Sequence, residues 1–280
     1  MSDGAVDIWV NLVTTQGAAQ FLGQEQNADI PGYLGGDGDK GVGVDDLLGR
    51  MERAGVATAV LTPALRRGAV AEALDVADTN PGRFLVAAMV TDAARPTRNV
   101  VRIRELAQHP LLSMVRVAPL FTQVPINDPL HYPIYHVCEE LGLPVGINVG
   151  IPGPKVPSRV QHPELLEDVL IAFPELTVIG AHMGHPFEEL LVNYMRKWDR
   201  LYLSCSAYAP KYIEPTLLRY MASSNGRGRV LWASDDPWFP MERSIDEARA
   251  LGLDADAMGL FLGGTARRLL DRGAWGEPPV

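Results

Sequence analysis

Cysteine is scarce in this chain: Cys138 and Cys205 are the only two, they stand 67 residues apart, and neither belongs to a CxxC pair. That supply gives neither a disulfide framework nor a thiolate zinc site, and both residues read as reduced packing groups. Positive charge is also short. Against 34 acidic residues there are 25 basic ones, for a formal charge of −9, and no Lys/Arg run exceeds two, so a nucleic acid would be repelled. Long hydrophobic runs are missing too, since the apolar stretches reach only about ten residues, too few to span a bilayer. The opening Met1-Ser-Asp-Gly has neither the basic start nor the apolar core of a signal peptide. The expectation is a cytoplasmic protein that binds neither nucleic acid nor membrane.

What the chain has is enough apolar material for a full core: 47% of 280 residues are hydrophobic, and 21% are charged. The length alone allows one large domain or two small ones. Short apolar, β-branched runs decide between them. They begin near Ala5, Val56, Arg83, Ser113, Pro144, Leu176, Leu201 and Arg229, at intervals of 51, 27, 30, 31, 32, 25 and 28 residues. Strands this continuously apolar suit burial on both faces of a parallel sheet. Between them, segments 44–55, 70–82, 98–108, 132–142, 163–174, 187–198 and 213–224 carry helical spacing, several ending in Gly or Pro. Eight such units predict a single-domain α/β protein, a closed (β/α)8 TIM barrel spanning 1–280, with an open doubly wound sheet as the alternative.

The first interval is longer than the others because of a polar, glycine-rich segment, 14–43, that reads as a long loop over the first strand. In a barrel it lies on the face where active sites form and is a candidate lid. The run from Gly36 to Gly41 matches GxGxxG, but no strand precedes it, and Asp37 and Asp39 would repel a pyrophosphate.

Four strand ends and the last helix carry a further pattern: AVDIWVNL, ELGLPVGINVG, LTVIGAHMGHPFEEL, VLWASDDPW and FLGGTARRLL. With these motifs, the chain resembles the amidohydrolase-related family, the barrel group that includes aminocarboxymuconate-semialdehyde decarboxylase, dihydroxybenzoate decarboxylases and several lactonases. The resemblance implies a zinc-like metal held by two histidines of the first strand, one of the fifth and an aspartate of the eighth, beside a histidine of the sixth. This chain has Trp9, Asn11, Asn148, Asp235 and His182 at those places. Three of the four implied ligands are therefore replaced. Asn binds such a metal poorly and Trp not at all. Strand alternation puts Asp7, Trp9 and Asn11 on one face, with the Trp9 indole in the space a metal would fill. The expectation is a site without metal or other cofactor. A remaining route to a metal would combine His182 and His185 with Asp235 or Asp236.

His182 and Asp235 then carry the acid/base chemistry, with His182 suited to proton transfer near neutral pH and Asp235 to orienting it or activating water. Arg116 fits a substrate carboxylate, and Asn11 and Asn148 offer amides to a developing oxyanion. Trp9, His185, Tyr208 and Trp238 complete the substrate-binding set. His131 is a weaker loop candidate, and Ser204 and Cys205 lack the sequence context of a nucleophile. Thr265 stands where the family commonly has Asn. The function expected is hydrolysis of a lactone or ester-like bond in a small carboxylated or carbonyl-bearing molecule. The alternatives are another acid/base reaction (decarboxylation, dehydration, isomerisation or cyclisation) or a non-catalytic binding protein. A homodimer is allowed, as relatives often form one.

Overall fold

A computed structural model describes residues 4–30, 38–63, 68–90 and 92–272. Eight parallel strands follow one another in sequence order: β1 (Ala5–Val10), β2 (Val56–Leu61), β3 (Phe84–Met89), β4 (Leu112–Val117), β5 (Val145–Asn148), β6 (Val178–Ala181), β7 (Leu201–Ser204) and β8 (Val230–Leu231). Hydrogen bonds from Ile8 N to Trp232 O (3.5 Å) and from Asp235 N to Trp9 O (3.0 Å) bring the last unit back to the first. The fold is the expected single (β/α)8 barrel. The open-sheet alternative falls with these β1 to β8 contacts.

Each strand leads to a helix on the outside. Val44–Ala54 is typical: Asp45 and Asp46 lie in its first turn, where they complement the helix dipole, and Gly55 ends it at φ 69°. The helices Ala69–Thr79, Pro96–Leu106, Tyr132–Glu140, Leu166–Ala172, Glu188–Lys197 and Pro215–Ala222 lie within a few residues of the expected segments, and Met241–Arg249, after β8, is a helix for which no segment was expected. Thr265–Leu270 closes the described chain, and Thr265 Oγ1 donates to Gly228 O (3.2 Å), a supporting bond within the barrel.

Two apolar layers result. Val6, Ile8, Trp9, Val60, Leu85, Ala87, Met114, Ile179, Ala181, Leu231 and Ala233 fill the barrel, and a larger cluster packs between strands and helices. Adjacent Ile8 and Trp9 share the inner cluster. Strict alternation would forbid this, but the pairing of β1 with β2 shifts register between Asp7 and Val10. The sequence expectation of a common face for Asp7, Trp9 and Asn11 fails at that shift, while its consequence for Trp9, an indole inside the barrel, holds.

The segment after β1 is more structured than a loop. It holds a helix, Thr15–Leu22, capped by the Thr14 hydroxyl accepting from Gly17 N (3.1 Å), and a 3-10 turn at Glu25–Asn27. Gly36 and Asp37 of the GxGxxG match lie outside the described residues, and Gly38 to Gly41 lie within them. Gly38 packs on Trp238, whose ring stands 2.2 Å from where a Cβ would be.

Candidate active site at the carboxyl ends of the strands

Four non-glycine residues take the left-handed backbone conformation in the loops that follow β6, β7 and β8: His182 (φ 64°), Met183 (59°), Ala207 (62°) and Asp235 (68°). Such residues are costly to hold and gather where function fixes geometry. Two of the four are the pair expected from sequence to do the chemistry.

Asp235 is buried at 8% exposure. Its Oδ1 accepts from Asn11 Nδ2 at 2.8 Å, and the same amide reaches the carbonyls of Asp235 and Asp236 (both 3.3 Å). Asn11 Oδ1 in turn accepts from Thr62 Oγ1 (2.9 Å). The Asn11 amide is thus committed to Asp235, in place of the oxyanion role expected for it. Burial pushes the Asp235 carboxyl up to about 7, against the lowering pull of the Asn11 hydrogen bond and the Arg116 charge. Asp236 turns elsewhere: its Oδ2 accepts from Met241 N (3.1 Å) and Arg50 Nη1 (3.4 Å), and burial lifts its carboxyl to about 6. Behind both, Asp7 accepts from Trp9 N (3.1 Å) and Ser234 N (3.0 Å), and Asp236 N donates to Ser234 Oγ (2.9 Å). Residues 234 and 236, on either side of Asp235, are therefore pinned by hydrogen bonds.

His182 does not bond to Asp235. Its Nδ1 lies 3.2 Å from Ser206 O and 3.0 Å from Ser206 Oγ. Because a carbonyl only accepts, Nδ1 is assigned the proton, which leaves Nε2 as the lone-pair nitrogen. Burial and the neighbouring Arg116 charge push this imidazole down to about 3, so it is neutral at physiological pH. Sequence alone assigned the neutral-pH proton to His182, whereas burial brings carboxyl groups near neutrality, Asp235 at the site and Asp7 behind it both to about 7, and holds His182 neutral.

Arg116 is 5% exposed, and its guanidinium stacks on Trp9, with Cζ 3.5 Å from the ring centroid. Trp9 meets the His182 ring edge on at 5.0 Å. Burial lowers the Arg116 guanidinium to about 9, partly restored by Asp235, so it remains a cation at pH 7. Among the described residues Arg116 makes no ion pair, and its Nε has no hydrogen-bond partner. Asn148, 2% exposed at the end of β5, likewise leaves Oδ1 without a partner. Most buried polar groups find a hydrogen-bond partner in protein or water.

Around this centre lie the other expected residues. His185 bonds Glu188 and stands 5.1 Å from the Tyr208 ring, and Trp238 packs on Phe21 at 5.3 Å. His131 is instead buried against Tyr135 (5.9 Å). Cys205 donates to Ala233 O (3.7 Å), its thiol pushed up to about 12 by burial, and Ser204 pairs with Ser206 at 3.2 Å. Neither is an activated nucleophile. Sequence reasoning missed Ser206, Thr62, Ser234 and Glu188 as supports. Ser234 and Glu188 stood inside quoted motifs, but nothing in residue type separated them from their neighbours.

The donor set does not fit a zinc-like ion. Trp9 supplies an indole and Asn11 a committed amide, while a guanidinium lies against that indole. No three His, Cys, Asp or Glu side chains among the described residues form a group that could hold a metal. A cavity of about 430 Å³ lies at the opposite end of the barrel, among Gly4, Val56, Thr58, Arg83 and Arg267. It offers no comparable chemistry, since Arg83 Nε donates to Ala57 O (3.0 Å) and Arg267 to Gly4 O.

A TIM barrel with convergent polar groups at its strand ends is an enzyme-type architecture. The amidohydrolase family model matches residues 6–272, and the chain belongs to that family. A comparison with curated proteins gave no match. Among solved structures it is similar to an uncharacterized TIM-barrel protein from Bordetella bronchiseptica (22% identity, 98% of this chain and 99% of that one, TM-score 0.77). It is also similar to 5-carboxyvanillate decarboxylase from Sphingomonas paucimobilis (17%, 96% and 99%, 0.75). A third is a dihydroxybenzoic acid decarboxylase from Polaromonas sp. JS666 with bound manganese (14%, 96% and 97%, 0.73). No helix among the described residues is long and apolar enough to cross a membrane.

Proposed function

We propose that this chain is a metal-independent hydrolase that opens a lactone or ester-like bond in a small carboxylate. The observation that carries the reading is Arg116: a buried cation with no ion-pair partner among the described residues, beside a carboxyl poised near neutrality. An unpaired buried charge is costly, and a substrate carboxylate is the ligand that would relieve it, in the paired geometry a guanidinium favours. Asp235 takes a proton from water as the water oxygen attacks the ester carbonyl, and returns it to the leaving alkoxide as the C–O bond breaks. The Asn148 amide donates to the developing oxyanion. His182, neutral and held by Ser206, accepts from the attacking water.

Decarboxylation is the second reading, favoured by the two decarboxylases among the similar structures. The one from Polaromonas carries manganese, and the donor set here does not suit such an ion. Assay of carboxylated lactones against uncharged lactones of the same ring size tests the proposal. Wild type should prefer the carboxylated set, and Arg116→Met should erase the preference with a loss in kcat/KM of about a hundredfold. Equal turnover of both sets, or release of CO2 from a carboxylated substrate, would contradict hydrolysis anchored at Arg116.

A further inference from the structure

Two histidines leave the end of β6 three residues apart and are wired to opposite ends. His182 gives Nδ1 to Ser206 in the depth of the barrel. His185 lies at the rim, its Nδ1 2.7 Å from Glu188 Oε1. Glu188 opens the helix Glu188–Lys197, and its side chain is only 3% exposed. Among the described residues His185 is the one hydrogen-bond partner of that carboxylate. A charge buried this deeply is tolerated because the amino end of a helix favours it and because the imidazole satisfies it.

A carboxylate only accepts, so the shared proton belongs to Nδ1, and in the uncharged imidazole that leaves Nε2 as the acceptor nitrogen. Nε2 has no partner among the described residues, and the side chain is 41% exposed. The ring stands 5.1 Å from Tyr208, which follows β7, and the His185 carbonyl accepts from Ile151 N (2.8 Å), which follows β5. His185 is therefore held where three loops of the active-site face meet, with one nitrogen fixed and the other free.

We propose that His185 is a substrate-positioning residue: its Nε2, locked as an acceptor by Glu188, takes a hydrogen bond from a hydroxyl that the substrate carries away from the carboxylate held at Arg116. The ligand class is a hydroxylated carboxylic acid or its lactone. This rests on the carboxylate reading given under Proposed function and adds the second contact. Arg116 fixes one end of the molecule and His185 the other, which is what orienting a bond toward Asp235 requires.

The test uses the full chain, with benzoate and its three monohydroxy isomers as planar probes. Calorimetry should show at least one isomer binding about threefold to tenfold tighter than benzoate, the worth of one neutral hydrogen bond. His185→Phe should abolish that preference, so that no isomer binds more tightly than benzoate. Histidine nitrogen NMR should show His185 as the Nδ1–H tautomer in wild type, a tautomer mixture in Glu188→Leu, and recovery of the Nδ1–H form in Glu188→Gln, whose amide oxygen still accepts. A preference that survives His185→Phe, no preference at all among bound acids, or an Nε2–H tautomer in wild type would overturn the proposal. If none of the four acids binds, or Arg116→Met binds them as wild type does, the carboxylate reading beneath it falls too.

Discussion

Asp235 and Arg116 illustrate how a charge acquires its role from what surrounds it. The residue types and strand-end positions of His182, Asp235, Arg116 and Asn148 were legible in the sequence, because the strand recurrence places them and barrel geometry converges such ends. Their protonation states were not. These depend on contacts such as the one between Asn11 and Asp235, separated by 224 positions, and on burial, which only the closed barrel supplies. A histidine reads from sequence as the neutral-pH proton carrier, yet burial and the Arg116 charge push the His182 imidazole down to about 3, while burial pushes the Asp235 carboxyl up to about 7. One consequence concerns Asn11, whose hydrogen bond stabilises the ionised carboxylate and lowers its proton affinity. Asn11→Ala should therefore move the acidic limb of the kcat/KM profile to higher pH and reduce activity at pH 7 by roughly tenfold. An unchanged limb would mean that Asp235 is not the group titrating.

At the level of elements, β1 and the segment that follows depart furthest from the sequence reading. The period-two rule predicts that Trp9 and Asp7 face alike, but the register shift frees Asp7 to brace β8 through Ser234 while Trp9 enters the barrel. A bulge leaves no signature in residue type, so it was not legible. The segment 14–43 read as a loop because its glycines and polar residues hide a short helix, which gains order from packing on the barrel. Phe21 of that helix lies on Trp238, and Lys155 N donates to Gln26 O (2.8 Å), tying the segment to the loops after β8 and β5. Gly38 has no room for a side chain beside Trp238. Gly38→Ala should cost about 1–3 kcal/mol in denaturant unfolding, and most of that cost should vanish in a Trp238→Ala background. Additive costs would show that the two residues do not share this contact.

Across the whole molecule, one closed barrel was predictable from spacing alone, since eight apolar runs at near-regular intervals admit few other arrangements. How β1 and β8 meet was not predictable, and that seam is where Trp9, Asn11, Asp7, Ser234, Asp235 and Asp236 interlock. The family scaffold is kept, while the seam holds an indole, an amide and a carboxyl near 7, with a guanidinium stacked on the indole. On the proposed reading, this arrangement does acid/base chemistry at Asp235 without a metal ion. The most direct measurement is the pH dependence of lactone hydrolysis by protein dialysed against a strong chelator. The claim predicts undiminished activity that rises through a single inflection near pH 7 as Asp235 loses its proton and is lost in Asp235→Asn. Activity that disappears on dialysis and returns with zinc or manganese would contradict it.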